Sequence, residues 1–138
     1  SQIYEIRLLL EQSAVADCTR NLTPQTTETL KALVIELEHA FAIDDINLII
    51  SVSSKLYETI FTTAKHHIAL EVVQRLNGRT SRLRAMTMNS TKREVSGFQR
   101  IKNICEAIYL DQDAEKAKQA VAAHIAEAAS IAKNILNT

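Results

Sequence analysis

Polar side chains interrupt an apolar helical stripe near the middle of the chain. Ser53 and Tyr57 are four residues apart, so both project from one face of a helix. His124 interrupts a second apolar stripe near the C-terminal end. A buried hydroxyl or imidazole needs a hydrogen-bond partner, because leaving it unpaired costs free energy. A histidine satisfied within the core would explain His124 alone, whereas the three side chains together indicate a polar pocket between helices.

Two sets of charged residues could contribute to such a pocket. Arg7 and Glu11 are also four residues apart, and they either line the pocket or pair with each other. The segment from Arg75 to Lys102 is rich in Lys and Arg and contains Arg100, with Glu94 as its only acid. Such a run is typical of a solvated face. An arginine of this segment that points inward would instead hold an anionic ligand by paired hydrogen bonds.

The adjacent histidines His66 and His67 are a weak metal motif. Neighbouring helical positions point about 100° apart, so the two rings cannot chelate one ion as a pair four residues apart can. We expect both to face solvent or to cap the following helix, and we expect His39, near a helix end, to be structural. The sequence contains no motif for a nucleophile, a phosphate-binding glycine loop or a pair of catalytic carboxylates. It therefore predicts a protein that is not an enzyme.

The periodicity of apolar residues predicts six helices with short connections. They span about 2–20, 24–42, 46–64, 66–86, 91–110 and 111–135, and "TMNST" is the longest loop-like stretch. Asn77 and Gly78 weaken the fourth helix and allow a kink or break there. The predicted fold is therefore an all-α antiparallel bundle of six or seven helices. The expected N-terminal caps are Thr23 before Pro24, Asp44 or Asp45, and Asp111 or Asp113.

The same periodicity predicts which side of each helix faces the core. The faces predicted to be buried comprise Ile3, Ile6, Leu10, Ala14 and Asp17 of the first helix, Leu30, Leu33, Leu37 and Phe41 of the second, and Ile46, Ile49, Ser53, Leu56, Tyr57, Ile60 and Ala64 of the third. In the last three they comprise Ile68, Val72, Leu76, Leu83 and Met86, then Phe98, Ile101, Ile104 and Ile108, then Ala117, Val121, His124, Ala128, Ile131 and Ile135.

Composition agrees with a single helical domain over residues 1–138. The chain is 46% hydrophobic but has two glycines, one proline and 4% aromatic residues, so turn-forming and strand-forming residues are scarce. Basic and acidic residues number 16 each, so the balanced charge gives no electrostatic reason for this chain to bind nucleic acid by itself. Cys18 and Cys105 are predicted to be reduced, buried thiols. The absence of an apolar run of about 20 residues or a signal peptide predicts a cytoplasmic protein without membrane contact.

Two longer patterns resemble a known family. "YEIRLLLEQSAVADC" and "ICEAIYLDQDAEKAKQAVAAHI" are similar to the first helix and the closing signature of the C-terminal ligand-binding (FCD) domain of FadR-type regulators in the GntR superfamily. In the first stretch, Arg7 and Glu11 occupy the positions of a characteristic Arg and Glu of that family. In the second stretch, His124 occupies the position of a histidine that points inward in the family. The resemblance covers nearly the whole chain.

The resemblance also implies where a metal would bind. Many relatives hold a divalent ion with an Asp and a His on a middle helix, a His on the next-to-last helix and the inward His of the last. Ser53 and Tyr57 stand at the first two places, and Ile101 or Lys102 stands at the third. The prediction is therefore an effector pocket without metal or cofactor, and its residues are Arg7, Ser53, Tyr57, Arg100 and His124.

The function implied is that of a sensor. The chain is expected to be the effector-binding and dimerisation domain of a regulator, binding a small organic acid or other metabolite. It would form a homodimer and reach operator DNA only through a winged helix-turn-helix domain that this chain does not contain. Two alternatives stay open: a scaffold bundle without a small-molecule ligand, and a metal-dependent sensor that uses His66 or His67 with His124. A cavity bounded by Ser53, Tyr57 and His124 would favour the sensor over the scaffold.

Overall fold

The computed structural model describes residues 2–88 and 95–136, and this part of the chain is an all-α bundle. The predicted fold class is confirmed. The described residues form seven helices: α1 (Gln2–Arg20), α2 (Pro24–Ala42), α3 (Ile46–Thr63), α4 (His67–Arg79), α5 (Ser81–Met88), α6 (Gly97–Tyr109) and α7 (Ala114–Leu136).

The starts of several helices are fixed by side-chain caps. In each, a side-chain oxygen accepts a hydrogen bond from the backbone N–H three residues on, which satisfies a donor that the helix itself leaves free. The distances are 3.1 Å for Thr23, Asp45 and Asp113 and 3.0 Å for Ser96. The first three caps were predicted. The cap at Ser96 starts α6 at Gly97, so the prediction of helix from about residue 91 is wrong at residues 95 and 96.

The predicted fourth helix divides at Thr80 into α4 and α5. The Thr80 hydroxyl donates to the Leu76 carbonyl at 3.1 Å, and its backbone N–H donates to the Asn77 carbonyl at 3.2 Å. Gly78 remains helical, so the break falls two residues beyond it. The "TMNST" stretch begins inside α5 with Thr87 and Met88, and its residues 89–91 lie outside the described residues.

In the described part of the chain, three non-glycine residues take the left-handed conformation where one helix gives way to the next. They are Asp44 (φ 56°), Lys65 (φ 64°) and Gln112 (φ 51°). This conformation lets the chain reverse in a few residues while the last helical carbonyls still accept hydrogen bonds. The backbone N–H of Lys65, for example, donates to the Thr62 carbonyl at 3.0 Å. These short reversals keep α2 beside α3 and α6 beside α7.

The core lies where α1 packs along α7, α2 along α3 and α6 along α7. Within the described residues, its large, fully buried side chains come from six helices, all except α5, which places most of the apolar surface in one cluster. They include Val15, Leu30, Leu37, Leu56, Phe61, Ile104, Ile108 and Val121. No helix in the described residues is long and apolar enough to cross a membrane.

The predicted inward face of α1 is wrong by about one residue. The buried side chains include Arg7, Glu11 and Cys18, whereas Ile6 is 41% exposed and Asp17 is only partly buried. The prediction followed hydrophobicity, and the N-terminal half of α1 is apolar on more than one side. The structure instead buries a charged pair, which hydrophobic periodicity cannot indicate.

The predicted face of the fourth helix is also largely wrong. In α4, which is described in full, Val73 is the one buried residue. Ile68 is 78% exposed and Val72 is 40% exposed, and Met86 of α5 is exposed as well. Ile46 of α3 is likewise exposed. In the other helices, the predicted faces are buried or packed against the core, except that Ile135 at the end of α7 is only partly buried.

Candidate functional site

Three of the predicted site residues meet around one small internal cavity. It is lined by side chains of α1, α3, α5 and α7: Tyr4, Arg7, Tyr57, Arg84, Thr87, His124 and Ala128. We call this space the internal cavity. Its volume is about 10 Å³, which is room for roughly one water molecule. Arg7, Tyr57 and His124 therefore lie together as predicted, in a pocket that is nearly closed.

Arg7 both lines the internal cavity and pairs with Glu11. Its Nε donates to Glu11 Oε2 at 2.8 Å, and both side chains are almost fully buried. Burial is the largest influence and acts to lower the pKa of Arg7, but attraction to Glu11 and Tyr57, the hydrogen bond to Glu11 and attraction to Tyr4 together outweigh it, so the pKa is raised. The guanidinium also lies 5.7 Å from the centre of the Tyr4 ring, within cation–π range. Arg7 is therefore a fixed cation.

Tyr57 presents a neutral hydroxyl to the cavity. Burial raises the pKa of its phenol, and the nearby Glu11 carboxylate raises it further. Within residues 2–88 and 95–136, Ser53 Oγ is buried without a hydrogen-bond partner, and Tyr57 Oη and Glu11 Oε1 are buried near each other without a hydrogen bond of good geometry. Buried oxygens of this kind normally bind water or a ligand, because an unmade hydrogen bond costs about 1–3 kcal/mol. The hydroxyl oxygen of Tyr57 is one of these, and Tyr57 lines the internal cavity.

Arg84 is the functional candidate that the sequence reasoning did not single out. It lies on α5 with only 6% of its surface exposed, and it faces the internal cavity with Arg7. Burial lowers the pKa of Arg84, and repulsion by Arg7 lowers it further. Among the described side chains, no carboxylate lies within ion-pair distance of Arg84. The inward arginine allowed by the basic segment is thus Arg84.

Arg100 and Ser53 do not line the internal cavity. Arg100 donates through Nη2 to Glu127 Oε2 at 3.0 Å and so links α6 to α7. Ser53 is fully buried one turn before Tyr57 on α3. Ser53 is on α3, which contributes Tyr57 to the cavity, and Arg100 is on α6, which packs against α7. Neither side chain lines the cavity.

The paired histidines lie elsewhere. His66 Nε2 and Asp17 Oδ2 are 2.7 Å apart, which ties the start of α4 to the end of α1. His66 makes no side-chain cap bond, and His67 and His39 are exposed. The hydrogen bond from His66, followed by that from Arg20, lowers the pKa of Asp17. Neither His66 nor His67 lines the cavity with His124.

The residues at the family's metal positions do not suit a divalent ion. Zinc in proteins takes about four ligands from thiolates, imidazoles or carboxylates. Ser53 offers a neutral hydroxyl and Tyr57 a phenol held in its neutral form. At the third position, Ile101 offers a buried hydrocarbon side chain and Lys102 an amine, neither of which is a usual zinc ligand. Of the described residues, no three of the types His, Cys, Asp or Glu are grouped so that they could hold an ion. The donor set leaves His124 as the one suitable ligand.

Comparison with solved structures places this arrangement in a known fold. The chain is similar to E. coli McbR/YncC, with a TM-score of 0.78 over 96% of this chain and 67% of that chain. The two sequences are 22% identical, so the likeness concerns the fold. No curated protein matches the chain in sequence.

The family comparison covers most of the chain. The family model described as FCD domain matches residues 2–127, from α1 into α7. FCD domains are the non-enzymatic, effector-binding regulatory domains of GntR-type regulators, in which another domain binds DNA. The prediction that the chain is not an enzyme is therefore confirmed by its family, and the family supports the effector-binding regulatory class. This chain belongs to the FCD domain family of GntR-type regulators.

Proposed function

We propose that this domain senses a small organic acid, bound in the internal cavity without a metal ion. The observation that carries the proposal is the charge around that cavity. The guanidinium groups of Arg7 and Arg84 both face it, and the carboxylate of Glu11 balances one of them. Buried charges in proteins are normally paired, because transfer from water is costly. A carboxylate ligand would supply the missing negative charge.

The lining groups suit recognition of a carboxylate. Arg84 can donate two parallel hydrogen bonds to its two oxygens, a geometry that favours arginine over lysine. Tyr57, whose phenol stays protonated, can donate a third, and His124 adds an imidazole to the same wall. In this proposal Ser53 and Arg100 act from outside the cavity. Ser53 is buried one turn before Tyr57 on α3, and Arg100 links α6 to α7 through Glu127.

Binding must enlarge the cavity, and this requirement can couple the ligand to a signal. The space of about 10 Å³ is smaller than any organic acid. The wall that carries Arg84 is α5, which has only eight residues and joins α4 through Thr80 alone. We propose that α5 moves outward when the acid enters. The ligand then favours the arrangement with α5 moved outward, because it binds that arrangement better. The change in the populations of the two arrangements is limited by the difference in the ligand's affinity for them.

The rest of the mechanism concerns the assembled regulator. We propose a cytoplasmic homodimer in which the ligand changes the spacing of winged helix-turn-helix domains on operator DNA. The exposed apolar residues Ile68 and Val72, one turn apart on α4, support dimerisation through this face. Sedimentation velocity should find a dimer that Ile68→Glu weakens. A wild-type domain that stays monomeric at high micromolar concentration would refute the dimer.

Calorimetric titration with small carboxylates tests the sensor. We expect saturable binding of butanoate and weaker binding of butanamide, which has the same shape without the charge. Arg84→Gln should lower the affinity for butanoate by roughly tenfold or more, since a hydrogen bond to a charged group contributes about 1.5–3 kcal/mol. Arg79→Gln, at an exposed arginine of α4, is the matched control and should bind as the wild type does.

Two results would count against the proposal. Equal binding of butanoate and butanamide would remove the role of the buried guanidiniums. Stoichiometric, tightly bound zinc in the purified domain, or loss of butanoate binding after treatment with a chelator, would refute metal-free recognition.

A further inference from the structure

A groove on the surface between α3 and α4 shares two side chains with the internal cavity. Its volume is about 280 Å³, close to the lower end of small-molecule sites, which begin at about 300 Å³. Tyr57 and Arg84 line both the groove and the internal cavity. These two side chains therefore form the wall between them, and a group bound at Arg84 could extend from one space into the other.

The groove combines an apolar surface with a polar group that lacks a partner. Ile50, Leu70 and Val73 supply apolar side chains from α3 and α4. Asn77 Oδ1 is buried there, and within the described residues it accepts no hydrogen bond. A buried amide oxygen without a donor is unfavourable. The groove thus offers an apolar contact and a place for one O–H or N–H donor.

Gly78 leaves the backbone of α4 open towards this groove. It lies inside α4 without a positive φ, and a Cβ placed there would have no neighbour within 4 Å. Neither backbone conformation nor packing within the domain therefore requires glycine, although glycine within a helix is about 1 kcal/mol less stable than alanine. Its position beside Asn77 in the groove wall suggests that the missing side chain makes room for a ligand.

Resting on the function proposed above, we infer that the α3–α4 groove is the outer part of the effector site and that the effector is an elongated carboxylate. Its carboxylate contacts Arg84, and its chain lies against Ile50 and Val73. A hydroxyl or amide group on that chain donates to Asn77. This arrangement satisfies the buried amide oxygen and the excess positive charge with one molecule.

Three probes separate the two parts of the site. Propionate offers the charged group alone, 6-hydroxyhexanoate adds a chain with a donor, and 6-hydroxyhexanamide keeps that chain without the charge. Calorimetric titration of the wild-type domain should give an affinity for 6-hydroxyhexanoate that exceeds that for each of the other two by at least about tenfold.

Gly78→Phe places an aromatic ring at the groove wall to occupy the space proposed for the chain of the acid, and its Cβ would meet no atom of the protein within 4 Å. It should lower the affinity for 6-hydroxyhexanoate to about that for propionate. Arg75→Phe places the same side chain at an exposed position of α4 outside the groove and should leave binding unchanged. Thermal unfolding of each variant verifies that it is folded.

The outcomes distinguish the groove from the proposed function. If propionate and 6-hydroxyhexanoate bind equally, or if Gly78→Phe binds the longer acid as the wild type does, the groove is not part of the effector site. The proposal of carboxylate binding at Arg84 then still stands. If the amide binds as tightly as the acid and Gly78→Phe abolishes both, the groove stands and the carboxylate preference fails. If none of the three probes binds, both proposals are refuted.

Discussion

The sharpest test of the cavity compares the same substitution at its two arginines. Arg7 and Arg84 are both buried and both face the internal cavity, but only Arg7 has a carboxylate within ion-pair distance in the described structure. Methionine approximates the length of the arginine stem and removes the charge. Opposite effects on stability are therefore expected from Arg7→Met and Arg84→Met.

Arg84→Met should stabilise the domain. The substitution removes the guanidinium of Arg84, a residue that is only 6% exposed. Burial lowers the pKa of this group, and repulsion by Arg7 lowers it further. Replacement of buried ionic groups by apolar ones is often neutral or stabilising by about 1–4 kcal/mol. Because Glu11 still attracts Arg84, we expect a gain near the lower end, about 1 kcal/mol, or a rise in melting temperature of about 4 °C.

Arg7→Met should destabilise it strongly. The substitution leaves Glu11, which is fully buried, without the Nε donor that lies 2.8 Å from its Oε2. Breaking a buried ion pair by removing one partner costs about 3–5 kcal/mol. The corresponding fall in melting temperature is more than about 10 °C.

Urea and thermal unfolding followed by far-ultraviolet circular dichroism measure both effects. We expect Arg84→Met to gain stability and to lose affinity for butanoate, as a residue kept for binding at the expense of stability would. If Arg84→Met destabilises the domain as much as Arg7→Met does, Arg84 is a structural residue with a satisfied charge. The cationic cavity would then be refuted together with the sensor built on it.

Three further predictions concern the bundle. Lys65→Gly should raise the free energy of unfolding by about 0.5–1 kcal/mol in urea titrations, because Lys65 has φ 64° and glycine adopts this conformation at less cost; no gain would refute strain there. The lowered pKa of Asp17 gives a stability contribution that is present above about pH 4 and is lost as the pH falls through that pKa. Asp17→Asn should therefore be less stable than the wild type near neutral pH by less than about 1 kcal/mol, and the difference should vanish in acid. Burial raises the pKa of Cys18 and Cys105 to about 12, so a thiol reagent at pH 8 should label them only as fast as the domain unfolds, and rapid labelling of native protein would contradict this.

The helices were predictable because their signals are local. Thr23 and Asp45 cap the helices that their sequence positions indicate, since a capping hydroxyl or carboxylate contacts the backbone only three residues away. The division of the fourth helix was also anticipated from Asn77 and Gly78. Its position at Thr80 depends on where α5 packs against α7, which no local pattern specifies.

The faces of α1 and α4 were not predictable in the same way. Hydrophobicity assigns Ile6 to the core and leaves Arg7 outside, whereas the structure buries Arg7 because Glu11 neutralises it. Ile68 and Val72 have the periodicity of a buried stripe but remain exposed. Periodicity indicates that a face is to be covered, and it does not indicate whether this chain or another one covers it.

The candidate site was predicted in part. Polar interruptions of apolar stripes located Tyr57 and His124, and the family resemblance added Arg7; the structure brings these three together. Arg84 was missed because a buried arginine in a basic segment has the same sequence signature as a solvated one. Only the packing of α5 against α7 and α3 distinguishes Arg84 from Arg100, which pairs with Glu127.

The charge of the site suggests how a sensor of this family can dispense with an ion. The family resemblance implies relatives that hold a divalent cation beside one aspartate, which would leave a net positive charge for a carboxylate effector. Here the aspartate position is Ser53 and the first histidine position is Tyr57, both neutral, so an ion would lack a charged ligand there. Arg7 and Arg84 opposed by Glu11 leave the same net positive charge. A guanidinium, unlike an ion, cannot be removed by a chelator and stays charged throughout the physiological pH range. The proposed site would therefore respond to the concentration of its acid and not to the availability of metal.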